Sequence, residues 1–511
     1  MREVPPNGYN AARLPPSTGG GTPPPVPSVE DRAPPAPHTL VVSDLHLSDA
    51  QERLPEKPLW KRYKQRDLFI DDCFARFLEH QLGVVPPGSE LILDGDVFDF
   101  DSVMALPDRD VFPVSWLERR RGLGAEEEKS RFKMRAILKD HPVFVQALRR
   151  WVLAGNRLVF VIGNHDIELH WPGVQALLLG ALALPPARAG AARVCEWFYV
   201  SEGDTLVAHG NQLDHYCVCP DPVYPTIRWR GRELIRVPFG NLAERYMLNA
   251  MGLFNPHVES SFIRPFAEYV VFFRKYMLKI QPMIGFVWFW SAILTLIVSL
   301  REGFLPAVRD PRRLEARVVD IARRANATPE QTRALLLLDV HPAIFSPWRI
   351  MRELWLDRAL LLALVIFGSF EVFSVLNVFS PISPWWTGFV FLLLLPPFVL
   401  YAHNVASEVA ETERMMRERL PVAAEVVRVD RVVVGHTHRE GHIRIDAVEL
   451  LNTGTWSPAY KDVECTIPFG RKCFAWIHPG EGGGPRVAEL YEWTDPGVVR
   501  LPLGHLKTRD T

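Results

Sequence analysis

Between Thr39 and Ala208, short apolar runs alternate with longer stretches of helical spacing. Leu40-Val41-Val42, Leu91-Ile92-Leu93, Leu158-Val159-Phe160-Val161-Ile162 and Thr205-Leu206-Val207-Ala208 are each followed at once by polar residues or glycine. Runs that short and continuous predict strands buried on both faces. Stretches near 66–82 and 131–153 predict helices, and 102–130 is charged and irregular. Strands alternating with helices predict an α/β sheet. The rhythm breaks over 211–425. It resumes at Val432-Val433-Val434, followed by Ile443–Ile445, Leu450-Leu451 and a last stretch near 473–492. These later segments are expected to form hairpins of a second sheet.

The break contains three long apolar runs, 283–300, 359–379 and 387–402. The second carries one charge, Glu371, and the third none. Each approaches the roughly 20 residues that a bilayer-crossing helix needs. Between them lies Ser380-Pro381-Ile382-Ser383-Pro384-Trp385-Trp386, a short turn with tryptophans suited to a membrane interface. A transmembrane hairpin over 359–402 is expected, with a buried helical pair in a soluble lobe as the alternative. Polar clusters on both sides of the break have to share one compartment, so the number of crossings is even. Residues 301–357 are rich in arginine (Arg301, Arg312, Arg313, Arg323 and Arg324 among them), which belongs on the cytoplasmic side. Run 283–300 is therefore expected to be re-entrant, interfacial or packed in the lobe, with 263–280 as an amphipathic partner. Arg352 and Arg358 precede the hairpin and Arg414, Arg417 and Arg419 follow it. They put the rest of the chain on the cytoplasmic face of the cell membrane.

At 511 residues the chain exceeds one ordinary domain. Residues 1–37 are rich in proline and glycine and lack the apolar core of a signal peptide, so a disordered tail is expected there. The end from 494 is expected to be loose. A net charge of −1 argues against a general nucleic-acid binder. Six cysteines in no even framework indicate a reducing compartment. Cys217-x-Cys219 is too closely spaced for a usual zinc pair and is expected to be packing or idle thiols.

The candidate chemistry lies at the strand ends, where α/β sheets form their sites. Collected in order, these residues are Asp44, His46, Asp96, Asn164, His165, His209, His436 and His438. Carboxylates, imidazoles and one amide suit Mn²⁺, Fe²⁺ or Zn²⁺ better than Mg²⁺ or Ca²⁺. One ion cannot use them all, but two sharing a carboxylate can. Two cations about 3.5–4 Å apart activate water and clamp the oxygens of a displacement at phosphorus.

In this order the residues resemble the calcineurin-like metallophosphoesterase family. Its pattern is matched by Asp44-Leu45-His46, Gly95-Asp96-Val97-Phe98-Asp99, Gly163-Asn164-His165-Asp166, His209-Gly210 and Gly435-His436-Thr437-His438. Asn452-Thr453-Gly454-Thr455-Trp456 looks like the strand that often follows. The resemblance implies an αββα sandwich of two mixed sheets. It would be split into a first part (38–215) and a second part (426–493) by a helical insert (216–425). It also implies that Asp44, His46, Asp96 and His438 hold one metal, and Asp96, Asn164, His209 and His436 the other. His165 would face the substrate and protonate the leaving oxygen, Asp166 would orient it, and Asp99 would support from outside. A hydroxide bridging the two metals would attack phosphorus. Arg439 is either a phosphate ligand or a surface residue.

The expected function is therefore a membrane-anchored, manganese-dependent phosphoesterase. Its substrate would be a phosphate ester or pyrophosphate of a lipid or lipid-linked molecule, since anchoring concentrates both partners. The chain is similar to the branch that includes the UDP-2,3-diacylglucosamine pyrophosphatases. It departs from that branch in its larger insert and at His165, where those enzymes commonly carry arginine. Alternatives are a phosphoprotein, cyclic-nucleotide or nucleic-acid phosphoesterase, and a metal-bound membrane scaffold without turnover.

Overall fold

Side-chain alternation along the strands decides the layers. A computed structural model describes residues 35–109, 111–252, 274, 283–383, 385–404 and 411–506. Most of the tail at 1–37, and the amphipathic stretch at 263–280 apart from Arg274, lie outside the described residues. Strands β1 (Thr39–Val42), β2 (Glu90–Asp94), β3 (Arg157–Val161) and β4 (Ala192–Cys195) run parallel side by side. Leu40, Val42, Leu91, Leu93, Leu158 and Phe160 point to one face. They pack there on Phe74 and Phe77 of helix Asp71–Val84 and on Phe144, Leu148 and Trp151 of helix Pro142–Leu153. Val41, Ile92, Val159 and Val161 point to the other face.

That other face meets a second sheet. β5 (Tyr199–Ser201) and β6 (Thr205–Val207) precede a separate hairpin, β7 (Thr226–Trp229) and β8 (Arg232–Ile235). β9 (Arg431–Val434), β10 (Gly441–Ile445) and β11 (Val448–Asn452) complete the second sheet in the order β10-β11-β9-β6-β5. Val207, Val433 and Leu451 fill the space between the sheets. Leu206, Val432, Val434 and Leu450 face outward onto Val318 and Ile321 of helix Leu314–Arg324 and onto Met416, Leu420 and Ala424 of helix Glu411–Val427. The result is a mixed α/β sandwich of two mixed sheets, with helices outside each. Helices 314–324 and 411–427, which precede β9, thus form a layer of the sandwich itself.

The C-terminal segments depart from expectation. β12 (Cys473–His478) and β13 (Val487–Trp493) do not extend the second sheet; β12 pairs antiparallel with β1 and widens the first. Ala475, Ile477 and Leu490 are the reason, since they alternate into the inter-sheet core. The end, expected to be loose from 494, carries β14 (Val498–Leu501), which pairs with β13 and buries Leu501 in that core.

The segment between the sandwich halves contains a helical lobe. Phe239–Ala243, a π-helical turn Glu244–Leu248 and Asn249–Met251 run on from one another. Helix Ile284–Phe304 packs over them through Ile284 and Ala292. Helices Leu356–Phe379 and Trp385–Asn404 form an antiparallel pair, closed at its base by the Tyr401 hydroxyl donating to Asp357 Oδ2 at 2.8 Å. By length and composition, Ile284–Phe304 and Leu356–Phe379 are long and apolar enough to cross a membrane. They differ in setting: a third of the apolar window of 284–304 is buried (33%), against 6% for 356–379.

Candidate metal centre

Every candidate ligand leaves the carboxyl end of a strand. β1 runs into Asp44 and His46, β2 into Asp96, β3 into Asn164 and His165, β6 into His209, and β9 into His436 and His438. Two sheets therefore contribute to one site. The backbone there is held in the left-handed region. Asp44, His46, Asp96, His436 and His438 have φ of 55°, 51°, 50°, 66° and 56°. For residues with a side chain this costs roughly 1–3 kcal/mol each and persists only where surroundings enforce it. Two motif glycines make room for the ligands. A Cβ at Gly163 would collide with the Asp96 carboxylate, and one at Gly435 with the Asp44 carboxylate and the Ser43 hydroxyl.

The side chains gather in two groups. Asp44, His46 and His438 bring one donor atom each within 4.8 Å of one another, and so do Asp96, His209 and His436. His46 Nε2 faces His438 Nε2 at 3.1 Å, and His438 Nε2 lies 3.2 Å from Asp44 Oδ1. His209 Nε2 is 2.9 Å from Asp96 Oδ2 and 3.9 Å from Asp44 Oδ1, which joins the groups. The second nitrogens set the tautomers. His209 Nδ1 donates to the Asp94 carbonyl at 2.8 Å, which turns Nε2 toward the Asp96 and Asp44 carboxylates. His436 is the reverse: Nε2 donates to Asp214 Oδ2 at 3.0 Å, and Nδ1 is buried with no hydrogen-bond partner among the described residues. Asn164 Oδ1 is buried and unpartnered in the same sense. The amide of His165 donates to Asp96 Oδ1 at 2.7 Å and fixes that carboxylate.

Electrostatics follow from burying so many charges together. Burial by itself would raise Asp44 and Asp96, but His209 with His438 holds Asp44 well below the usual carboxylate range, and His209 with His165 lowers Asp96. Burial would lower His209, yet Asp96 and Asp44 lift it to about 10. The field of the centre thus favours cations. Imidazole nitrogens and carboxylate oxygens that converge at 2.9–3.1 Å share protons here, and a bound cation could take the place of those protons. The donors fit divalent metal ions of the borderline class, which accept oxygen and imidazole nitrogen alike.

His165 stands beside this centre, its ring 4.9 Å from that of His46. Its Nδ1 lies 3.6 Å from Asp99 Oδ1, 3.8 Å from Asp101 Oδ2 and 3.5 Å from Glu244 Oε2. Burial opposes its charge, but Asp96, Glu244 and Asp99 prevail and raise it well above the usual histidine value. Asp166 does not take the orienting role expected of it. Its carboxylate accepts from the amides of Gly163 and Val97 at 2.6 and 2.9 Å, so it ties the β2 and β3 loops together. The carboxylates against His165 come instead from Asp99, Asp101 and Glu244. Arg439 pairs with Glu413 at 2.5 Å. Cys217 shares a cluster with Asp214 and His436, and burial pushes its thiol well above the ordinary range.

Asp101, Asp214, Asn241 and Glu244 are the participants that sequence reasoning missed. Asp214 follows His209 by five residues, and Asp101 follows Asp99 by two, so proximity to a motif was an available signal. Asn241 and Glu244 lie in Phe239-Gly-Asn-Leu-Ala-Glu, which has no distinguishing spacing.

No family model matches the chain, and no curated protein matches it. Four solved chains match. One is wild-type Vps29 from Entamoeba histolytica complexed with Zn²⁺, 21% identical over 17% of this chain and 44% of that one, with a TM-score of 0.13. The chain thus spans less than half the length of that relative.

Proposed function

We propose that this chain is a membrane-anchored phosphoesterase with a dinuclear metal centre, acting on a phosphate ester or pyrophosphate of a lipid or lipid-linked substrate. The observation that carries the reading is the convergence of imidazole nitrogens and carboxylate oxygens in one buried centre. His46 against His438, and His209 against Asp96, sit at 2.9–3.1 Å in a buried centre whose two groups are joined through Asp44 and His209. Asp44, His46, Asp96 and His438 would hold one cation, and Asp96, Asn164, His209 and His436 the second, with Mn²⁺, Fe²⁺ or Zn²⁺ all suited to the donors. When bound, the pair would acidify water and neutralise the oxygens of the phosphoryl group. His165 gives the leaving oxygen its proton, and Asp99, Asp101 and Glu244 hold the ring in place for it. Asp214 keeps His436 turned with Nδ1 toward the second cation.

The membrane part of the reading rests on the helix pair. Leu364, Phe367, Phe370, Phe379, Trp385, Leu392 and Leu393 are all exposed, far more apolar surface than a water-soluble lobe leaves bare. A two-helix hairpin returns the chain to the side it left. That arrangement keeps β9 on the same side as β1, β2, β3 and β6, and the arginines that flank the pair favour the cytoplasmic face for them.

The test is turnover of an aryl phosphodiester by detergent-purified protein with Mn²⁺, followed by a panel of lipid-linked phosphates and pyrophosphates. His436→Ala is expected to lower turnover at least 100-fold. Unchanged turnover in that variant would sink the dinuclear reading, and failure on every lipid-linked member of the panel would sink the substrate class.

A further inference from the structure

Asn164 has an amide side chain, and an amide can bind a metal with its oxygen only if something keeps its nitrogen turned away. The two ends are nearly the same shape, so packing alone does not choose. The choice is made by a chain of hydrogen bonds that begins at a carboxylate. Asp101 Oδ2 accepts from Asn241 Nδ2 at 2.7 Å. That bond orients Asn241, because its oxygen against the carboxylate would be repelled. Asn241 Oδ1 is thereby presented to Asn164 Nδ2 at 3.3 Å, and Asn241 Nδ2 also donates to the Asn164 carbonyl at 3.1 Å. Asn164 is gripped at two points, with Oδ1 buried on the remaining side and without a hydrogen-bond partner among the described residues. Asn241 itself is fully buried (0% exposed), so water does not compete for these bonds.

We infer that Asn241 is a positioning residue of the metal centre: it sets the flip of Asn164 so that the amide oxygen faces the second cation. The inference rests on the dinuclear reading above and adds to it a residue from outside the sandwich. Asn241 lies in the lobe, on Phe239–Ala243. Its neighbours extend the same polar face. Glu244 reaches His165, and Asn249 bridges Lys61 Nζ at 2.6 Å and the Asp101 carbonyl at 2.7 Å. Residues 241, 244 and 249 share a face because the π-helical turn Glu244–Leu248 adds a residue between the last two. The opposite side, through Phe239, Ala243, Met247 and Met251, is the seat of helix Ile284–Phe304. The lobe that carries the apolar helices therefore also finishes the second metal site.

Metal content distinguishes this role from a merely structural one. The full chain, purified in detergent and stripped with chelator, is titrated with Mn²⁺. Bound metal per chain is measured by atomic emission, and the exchange-coupled pair by electron paramagnetic resonance. Wild type is expected to bind two ions. Asn241→Leu keeps the volume and loses the bonds, and is expected to raise the Kd of the second ion about 10- to 100-fold, as loss of a ligand's supporting bond does. Asn241→Asp sets two carboxylates against each other and is expected to fail in the same way. Combining it with Asp101→Asn restores a donor facing an acceptor and still turns Asn164 Nδ2 toward position 241, while the Asn164 carbonyl loses its donor, and is expected to recover part of the second ion's affinity relative to Asn241→Asp alone. A folded Asn241→Leu with wild-type affinity at both sites overturns the inference and leaves the dinuclear reading standing. If Asn241→Leu does not fold, the exchange pair decides: recovery supports the role and no recovery overturns it. A wild type that binds fewer than two ions overturns both.

Discussion

Five residues of the centre, Asp44, His46, Asp96, His436 and His438, hold positive φ without being glycine. Strain of that kind survives because the strands behind it are buried on both faces and do not yield. The glycines beside them have little tolerance. Gly163→Ala sets a methyl against the Asp96 carboxylate; it is expected to cost about 1–3 kcal/mol of stability and at least tenfold in Mn²⁺ affinity, read from denaturant melts with and without metal. Away from the centre, His170 reports chiefly on burial. Burial drives its imidazole down to about 3, with Arg317 adding to the effect, whereas in the unfolded chain it titrates near 6.5. Its contribution to stability is complete above pH 6.5 and is lost as pH falls from 6.5 toward 3, at up to about 1.4 kcal/mol per pH unit. His170→Gln is expected to flatten the acid side of the stability curve between pH 6.5 and 4.5. An acid slope equal to the wild-type slope would contradict that assignment.

At the level of elements, the strands of the centre were readable because each is a short apolar run ending directly in polar candidate residues. The pattern β-strand then Asp-x-His or Gly-His-x-His is local, and local signals survive in one dimension. The helices were harder. The apolar run at 283–300 belongs to a helix with two sides: Ser291, Thr295, Ser299 and Glu302 are buried against the lobe, while Phe286, Trp290 and Ile297 are exposed. Its hydropathy resembles that of 356–379, and only packing separates them. The anchor is expected to be the pair 356–404. Replacing 359–402 by a short Gly-Ser linker is feasible because Tyr401 and Asp357 already touch at its base. The shortened protein is expected to leave the membrane fraction while retaining Mn²⁺-dependent turnover of an aryl phosphodiester. Continued co-flotation with lipid vesicles would move the anchor to Ile284–Phe304.

For the whole molecule, the candidate metal centre is the place where two sheets and the lobe meet, so a metal that binds there is expected to be linked to folding. Ions that bind the folded chain alone stabilise it by about 2.7 kcal/mol at a free concentration 100 times their Kd. Chelation is therefore expected to lower the melting temperature by several degrees, and Mn²⁺ to restore it. An identical melt with and without metal would mean that the centre binds none. The sequence by itself determined the α/β class, the polar residues at the strand ends and the apolar runs, because these depend on periodicity and on residues a few positions apart. Only the tertiary structure decided that β12 and β13 belong to the first sheet, that Asp166 ties loops while Asp99, Asp101 and Glu244 surround His165, and that Asn241 grips Asn164. Those assignments depend on which distant surfaces meet, and 77 residues of chain separate Asn164 from Asn241. Nothing in their local spacing encodes the encounter. It follows from the burial of Phe239, Ala243 and Met247 on the other side of the same short helical segment.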